Sequence, residues 1–201
     1  MFPLGSVLVP WAVLPIHVFE PRYRTMVRAC LDGRREFGVV LITRGSEVGG
    51  NDQRTEVGTM AGIVEAQETT DGRWALVCVG LRRIRVTEWL VDDPFPRAAV
   101  TDWPDVSDAA ALGRVPGIVT QLRRVLALAA EAGDPAPPAT IELSDDSEVA
   151  AWQAIALAPI GALDRQRLLA EATVDTRLIR LADLLTDAAE VLELRLGQGD
   201  R

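Results

Sequence analysis

The chain has 201 residues, 48% of them hydrophobic, and a formal net charge of −8 at pH 7 from 21 basic and 29 acidic side chains. That length suits one large domain or two small ones with a sizeable core. The acidic balance argues against nucleic acid, whose phosphates demand a basic footprint, and against an anionic membrane surface. No apolar run reaches the length of a membrane span, and the start has no basic segment ahead of its apolar stretch. No signal peptide is therefore expected, and the cytoplasm is the expected location. All the basic side chains are arginines; there is no lysine. Cys30 and Cys78 read as reduced, buried apolar residues.

In chain order, two short apolar runs come first, Val7-Leu8-Val9 and Val13-Leu14-Pro15-Ile16, broken by Pro10 and Pro15. Proline cannot donate to a ladder, so each proline is expected to end a strand or mark an edge. Pro21 then stands where a helix tolerates proline, at its first position, with Glu20 beside the positive helix end. Tyr23, Met26, Val27, Cys30 and Leu31 fall at helical spacing, which predicts an amphipathic helix ending at Asp32-Gly33. Phe37 to Ile42 reads as a strand and Thr43 to Thr55 as a polar, glycine-rich loop. Val57 to Gln67 and Arg73 to Val79 read as partners across a Thr-Asp-Gly turn. In Arg83-Ile84-Arg85-Val86 the alternation predicts a half-exposed strand with a solvated arginine face. Asp92 to Pro96 is a turn before a last strand, Arg97 to Thr101.

From Val106 onward the pattern turns helical. Ser107 and Asp108 are candidate caps. Val115 to Gly133 holds helical spacing, with Pro116-Gly117 expected to break or kink its beginning. Gly133 to Asp146 is a proline-bearing linker. Ser147 to Leu157, Asp164 to Ala172 and Val174 to Leu196 are three further helices. The reading is α+β: a β-domain over residues 1–105 and a C-terminal α-helical bundle over residues 106–201.

The opening Pro3-Leu4, the two apolar runs and Glu20-Pro21-Arg22-Tyr23 resemble the N-terminal substrate-binding domain of Lon proteases. Gly58-Thr59-Met60-Ala61-Gly62-Ile63 is similar to that family's Gly-Thr-x-Ala-x-Ile strand, and Trp74 to Arg83 to its hairpin ending in Gly-x-x-Arg. Asp164-Arg165-Gln166 and Asp175-Thr176-Arg177-Leu178 resemble its closing helices. The resemblance covers nearly the whole chain. It implies a PUA-like small β-barrel with one helix for the first part, and recognition of protein substrates or exposed, unfolded polypeptide segments.

The residues argue against the catalytic parts of such proteases. A P-loop needs a lysine on the terminal phosphates, and the Gly45-x-x-x-x-Gly50 spacing is followed by Asn51-Asp52. A Ser–Lys dyad is impossible without lysine. His17 is the only histidine, no Gly-x-Ser-x-Gly elbow is present, and one histidine with two separated cysteines gives no zinc set. No catalytic residue, cofactor or metal ligand is assigned, and the chain is read as a stand-alone, non-enzymatic member.

Glu20, Pro21, Arg22 and Tyr23 are assigned a structural role at the helix start. Trp74, Trp89 and Trp152 are expected in cores. Trp11, beside Pro10, and Phe95, between Pro94 and Pro96, are turn aromatics. With Val13 they are the candidate peptide-binding residues, because aromatics give rigid apolar contact area. The groove between the two parts and an open sheet edge are further candidate surfaces. The expected partner is unfolded or exposed polypeptide, with a separate protease and an adaptor role in protein quality control as extensions. A PUA-like RNA-binding module and a small-molecule-binding protein are the alternatives; Arg82, Arg83 and Arg85 form the basic cluster an RNA module would use.

Overall fold

A computed structural model describes residues 1–45, 52–106 and 108–199. Gly49, Gly50 and Asn51 of the glycine-spaced loop, the candidate cap Ser107 and the last two tail residues lie outside the described residues. The chain forms two compact units, Met1–Pro104 and Asp105–Arg201.

The first unit is a six-stranded sheet with one helix. Its strands are β1 (Phe2–Leu4), β2 (Val13–Val18), β3 (Glu36–Arg44), β4 (Gln53–Glu68), β5 (Trp74–Leu90) and β6 (Arg97–Asp102), with α1 (Pro21–Leu31) between β2 and β3. The order is β1-β3-β4-β5-β2, and β6 pairs with the second half of β5. Only β1 and β3 run parallel; every other pair is antiparallel. The ladder stops at β1 and β2, so the pairings give an open sheet and do not close the barrel that the resemblance implied. These two terminal strands nonetheless line one cavity of 240 Å³, shared by Phe2, Leu4, Ile16, Val18 and Tyr23.

Alternation sorts the strands into an inner and an outer face. Phe2, Val18, Phe37, Val39, Ile63, Trp74, Leu76 and Cys78 turn inward to a core that Tyr23, Met26 and Val27 of α1 complete. The helix begins and ends where the residues predict, with Pro21 in its first turn and Asp32 as its C-cap. Thr69 to Gly72 forms the β4–β5 turn. There Gly72 takes φ +76° and donates to the Thr69 carbonyl at 2.8 Å, a conformation glycine adopts without a Cβ penalty.

Several expectations are corrected. Val7-Leu8-Val9 is not a strand but an irregular strap, buried all the same at Leu8 and Val9. Pro15 meets its expectation in the second form: it sits inside β2 opposite Val77 and marks an edge strand. Thr43, Arg44 and Gln53 to Thr55 belong to strands rather than to the loop. Residues 74–90 are one strand, bent where register shifts interrupt its ladders with β4 and β6. Trp89 is half-buried beneath the Arg54 guanidinium, 4.9 Å from its ring, instead of in the core.

The second unit holds α2 (Ala109–Leu112), α3 (Val115–Glu131), α4 (Ser147–Leu157), α5 (Ala162–Ala170) and α6 (Val174–Gly199). Asp108 caps α2 through Ala111, and Asp146 caps α4 through Glu148 and Val149. Pro116 neither breaks nor kinks α3: it lies in the first turn, where its missing N–H has no intrahelical partner to lose. α3 packs along α6, burying Leu122, Val125 and Leu126 with Leu178, Leu181 and Leu185. Arg165 closes α4 by donating to the Ala158 carbonyl at 2.8 Å.

One charged group holds the entrance of this unit. Arg177 is only 2% exposed. It grips Asp105 with two hydrogen bonds of 2.6 and 2.7 Å, donates to the Leu168 and Glu171 carbonyls, and lies 4.2 Å over the Trp152 ring. Removing it takes both guanidinium hydrogen bonds from Asp105 and one from each of two carbonyls, so Arg177→Ala is expected to lower unfolding free energy by about 3–5 kcal/mol in urea titrations. A loss below about 1 kcal/mol would show the pair to be dispensable.

The core of the first unit also sets an alkaline limit. Burial raises the Cys78 thiol from 9.0 to about 11 and the Tyr23 phenol from 10.0 to about 12. A raised value favours the neutral form in the folded state, so the contribution is complete below the ordinary values and is lost as pH climbs through the folded ones. Stability should fall between about pH 9 and pH 12. Cys78→Ala should flatten the first part of that decline in denaturant titrations across this range.

Candidate functional site

The strap from Gly5 to Ala12 crosses the sheet and is fixed to it at three points. Thr59, fully buried, donates its hydroxyl to the Leu8 carbonyl at 2.7 Å. Trp11 donates its backbone N–H to the Gly80 carbonyl at 2.8 Å, and Gly80 donates to Ala12 at 2.9 Å. A Cβ on Gly80 would collide with the Val9 carbonyl, so the strap lies this close only because residue 80 is glycine.

Pinned on both sides, Trp11 takes φ +64°, a left-handed conformation uncommon for a bulky residue. Its side chain is nevertheless 52% exposed. Val13, 64% exposed, follows on the outer face of β2, opposite Val79 of β5. Val77 and Leu81 share that outer face of β5, and the Leu81 side chain lies over Gly62 of β4. Val13, Val77, Val79 and Leu81 therefore form an apolar strip along β2 and the middle of β5, and the exposed Trp11 stands two residues ahead of it at the end of the strap. Leu81 and its neighbours were not legible as a site, since the contact of Leu81 with Gly62 joins residues far apart in sequence.

Phe95 is placed differently. It is half-buried and packs against the core of the first unit.

The Glu20-Pro21-Arg22-Tyr23 segment builds an ordered stack. The Arg22 Nε donates to Glu20 Oε2 at 3.0 Å, and the guanidinium lies 4.5 Å over the Tyr23 ring. That ring meets Phe2 at 4.4 Å, and Phe2 meets Phe37 at 5.9 Å. Glu20 is the N-cap residue of α1, yet its carboxylate accepts nothing from the helix N-terminus. The anion is satisfied by Arg22 instead.

The basic cluster is the expected solvated face only in part: Arg85 is exposed and Arg82 balances nearby acids, but Arg83 is buried. Arg83 is 3% exposed with its guanidinium 4.2 Å over Trp103, and Arg85 lies 4.0 Å over the same ring. Arg82 donates to Asp102 at 2.8 Å and to Glu36 at 2.9 Å. The partner Trp103 stands twenty residues away in sequence, which hides the arrangement from local pattern. His17 is exposed on β2. Among the described residues no group of three His, Cys, Asp or Glu side chains could hold a metal ion, and no helix is long and apolar enough to cross a membrane.

This combination of a curved sheet, one helix and a following set of helices is found in known proteins. The model of the ATP-dependent protease La (LON) substrate-binding domain matches residues 1–187. The chain belongs to that family. Lon protease 2 of Herpetosiphon aurantiacus is 29% identical over 195 residues, 95% of this chain and 24% of that protease. A LON peptidase N-terminal domain and RING finger protein of Schizosaccharomyces pombe is 26% identical over 112 residues, 49% of this chain and 23% of that protein. The chain thus spans about a quarter of the length of these relatives. The crystal structure of a Lon N-terminal domain protein from Xanthomonas campestris superposes with TM-score 0.65 at 28% identity, covering 90% of this chain and 95% of that one. The N-terminal domain of a Mycobacterium avium complex Lon protease, 20% identical, has the same fold with TM-score 0.64.

The Glu20–Arg22 stack is assigned to stability. Arg22→Ala is expected to cost about 1–3 kcal/mol, read as a lower melting temperature, because it leaves Glu20 unpaired and uncovers Tyr23. Polypeptide binding by the folded variant should be unchanged; a fully stable variant that had lost binding would reverse the assignment.

Proposed function

We propose that the protein is a non-enzymatic polypeptide-recognition module that binds unfolded or exposed segments of client proteins, as an adaptor in protein quality control. The observation that carries this reading is the exposed apolar strip headed by Trp11, whose strained backbone is over-determined by the strap. Family membership supports the polypeptide class of ligand, and a separate protease is the partner to which clients would pass. The absence of lysine removes both a P-loop lysine and a Ser–Lys dyad from this chain.

Trp11 and Val13 are the contact residues in this reading. Phe95 contributes through its solvent-facing part, and its packing makes its substitution costlier to the fold. We also read the two units as two domains, and the first as a PUA-like barrel with an incomplete ladder. Support for the barrel comes from β1 and β2, the two ends of the sheet, lining one cavity. An RNA-binding role is disfavoured because Arg82, Arg83 and Arg85 are engaged by carboxylates or an indole.

Binding of a fluorescent unfolded polypeptide should be weakened at least about tenfold by Trp11→Asp, equivalent to roughly 1.4 kcal/mol. Its melting temperature should be unchanged. Affinity should vary little with salt, whereas phosphate-backbone recognition falls steeply. Tight, salt-sensitive binding of a structured RNA with no polypeptide binding would overturn the proposal.

A further inference from the structure

A second surface of the first unit has a different chemistry. A cavity of 740 Å³ is bounded by β6 on one side and by residues of β3 and β4 on the other. Ligand sites run to about 300–1,000 Å³, so it has room for several side chains of a bound chain. Its floor takes apolar surface from Met60, Leu90 and Val100. Arg97, Ala98, Val100, Thr101 and Asp102 all line it. Successive strand residues point to opposite faces, so a cavity touching adjacent residues in this way views β6 along its edge. Among the described residues β6 pairs only with β5 and its opposite edge joins no other strand; just ahead of it the Met1 ammonium donates to the Pro96 carbonyl at 2.7 Å.

The charges of this cavity run against those of the chain. Arg34, Arg82, Arg97 and the N-terminal residue Met1 line it, together with the carboxylates of Glu36 and Asp102. Both carboxylates are held by Arg82. Arg34 and Arg97 are exposed and form no ion pair among the described residues. A protein with 29 acidic and 21 basic side chains thus places two uncommitted guanidiniums beside a free strand edge and an apolar floor. Guanidinium forks match carboxylates in geometry and charge.

We infer that the free edge of β6 takes an extended client segment as an added strand, with acidic side chains of that segment on Arg34 and Arg97 and apolar ones on the cavity floor. This inference rests on the polypeptide-recognition reading and names the chemistry that would be preferred: alternating apolar and acidic residues. Main-chain pairing supplies affinity and the pocket selects the side chains. Such a segment complements Arg34 and Arg97, while the acidic remainder of the protein would repel it and so limit non-specific capture.

The test uses three labelled peptides that alternate valine with glutamate, glutamine or lysine, titrated against the intact chain. The glutamate peptide should bind tightest and the lysine peptide weakest. Arg34→Glu and Arg97→Glu, both exposed positions checked for unchanged melting, should each weaken the glutamate peptide about tenfold. They should leave an uncharged unfolded probe unaffected, whereas Trp11→Asp should do the reverse. Methylating alternate amides of the glutamate peptide should abolish binding, and hydrogen exchange should slow in β6 when the unmodified peptide is present. Equal binding of all three peptides, or full binding of the methylated one, would overturn this inference while leaving the proposed function standing. So would preference for a single-stranded oligonucleotide over the glutamate peptide. Failure of every peptide and of the uncharged probe would overturn both.

Discussion

The approach of the Val9 carbonyl to Gly80 is the constraint on which the exposed surface of the first unit depends. A side chain at residue 80 would lift the strap from the sheet. The hydrogen bonds from Trp11 to Gly80 and from Gly80 to Ala12 require that closeness. With the strap seated, Leu8 and Val9 are buried and Trp11 is forced into φ +64° with its side chain outward. Burying two aliphatic side chains offsets the strain of one backbone position. Rigid placement matters for recognition, since an aromatic already fixed in place loses little conformational freedom when a partner arrives.

The two units solve the same problem with different means. In each, an arginine is buried with the indole of a tryptophan as one wall: Arg83 on Trp103 in the first, Arg177 on Trp152 in the second. A guanidinium is weakly hydrated and planar, so stacking on an aromatic face lowers the penalty of removing it from water. Arg177 adds Asp105 and two carbonyls, which makes it a fixed joint among the start of the unit, the end of α5 and the first turns of α6. Lysine could not take over this role, because an ammonium has neither the flat face nor the fork.

Helices were legible because their signals are local. Pro21, the spacing of Tyr23, Met26 and Val27, and Asp146 before Ser147 each fix an element within a few residues of themselves. Strand limits and burial were legible only in part. Val7-Leu8-Val9 has the composition of a strand, yet its hydrogen bonds go to a strap, a choice made by Thr59 and Gly80 far along the chain. The residues read as one strand ending at Val79 and another beginning at Arg83, whereas a register shift lets a single strand run through Gly80 to Arg82. Trp11 and Val13 could be named from turn position and alternation. Leu81 could not, because its place over Gly62 is set by cross-strand pairing. Arg83 was misjudged for a like reason: alternation predicts which face a side chain enters, but a buried arginine needs a partner that only the tertiary fold brings near.

The arginine-only cation set has a consequence for how the molecule responds to proton activity. Ammonium groups of lysine normally discharge near pH 10, and none is present. Burial holds the Cys78 thiol near 11 and the Tyr23 phenol near 12, and it raises Cys30 as well. Above the histidine range, the folded chain therefore has few side chains that can give up a proton until conditions are strongly alkaline. Its titration curve should be nearly flat there. It is a poor buffer, and its surface keeps the same pattern of charge across that whole interval.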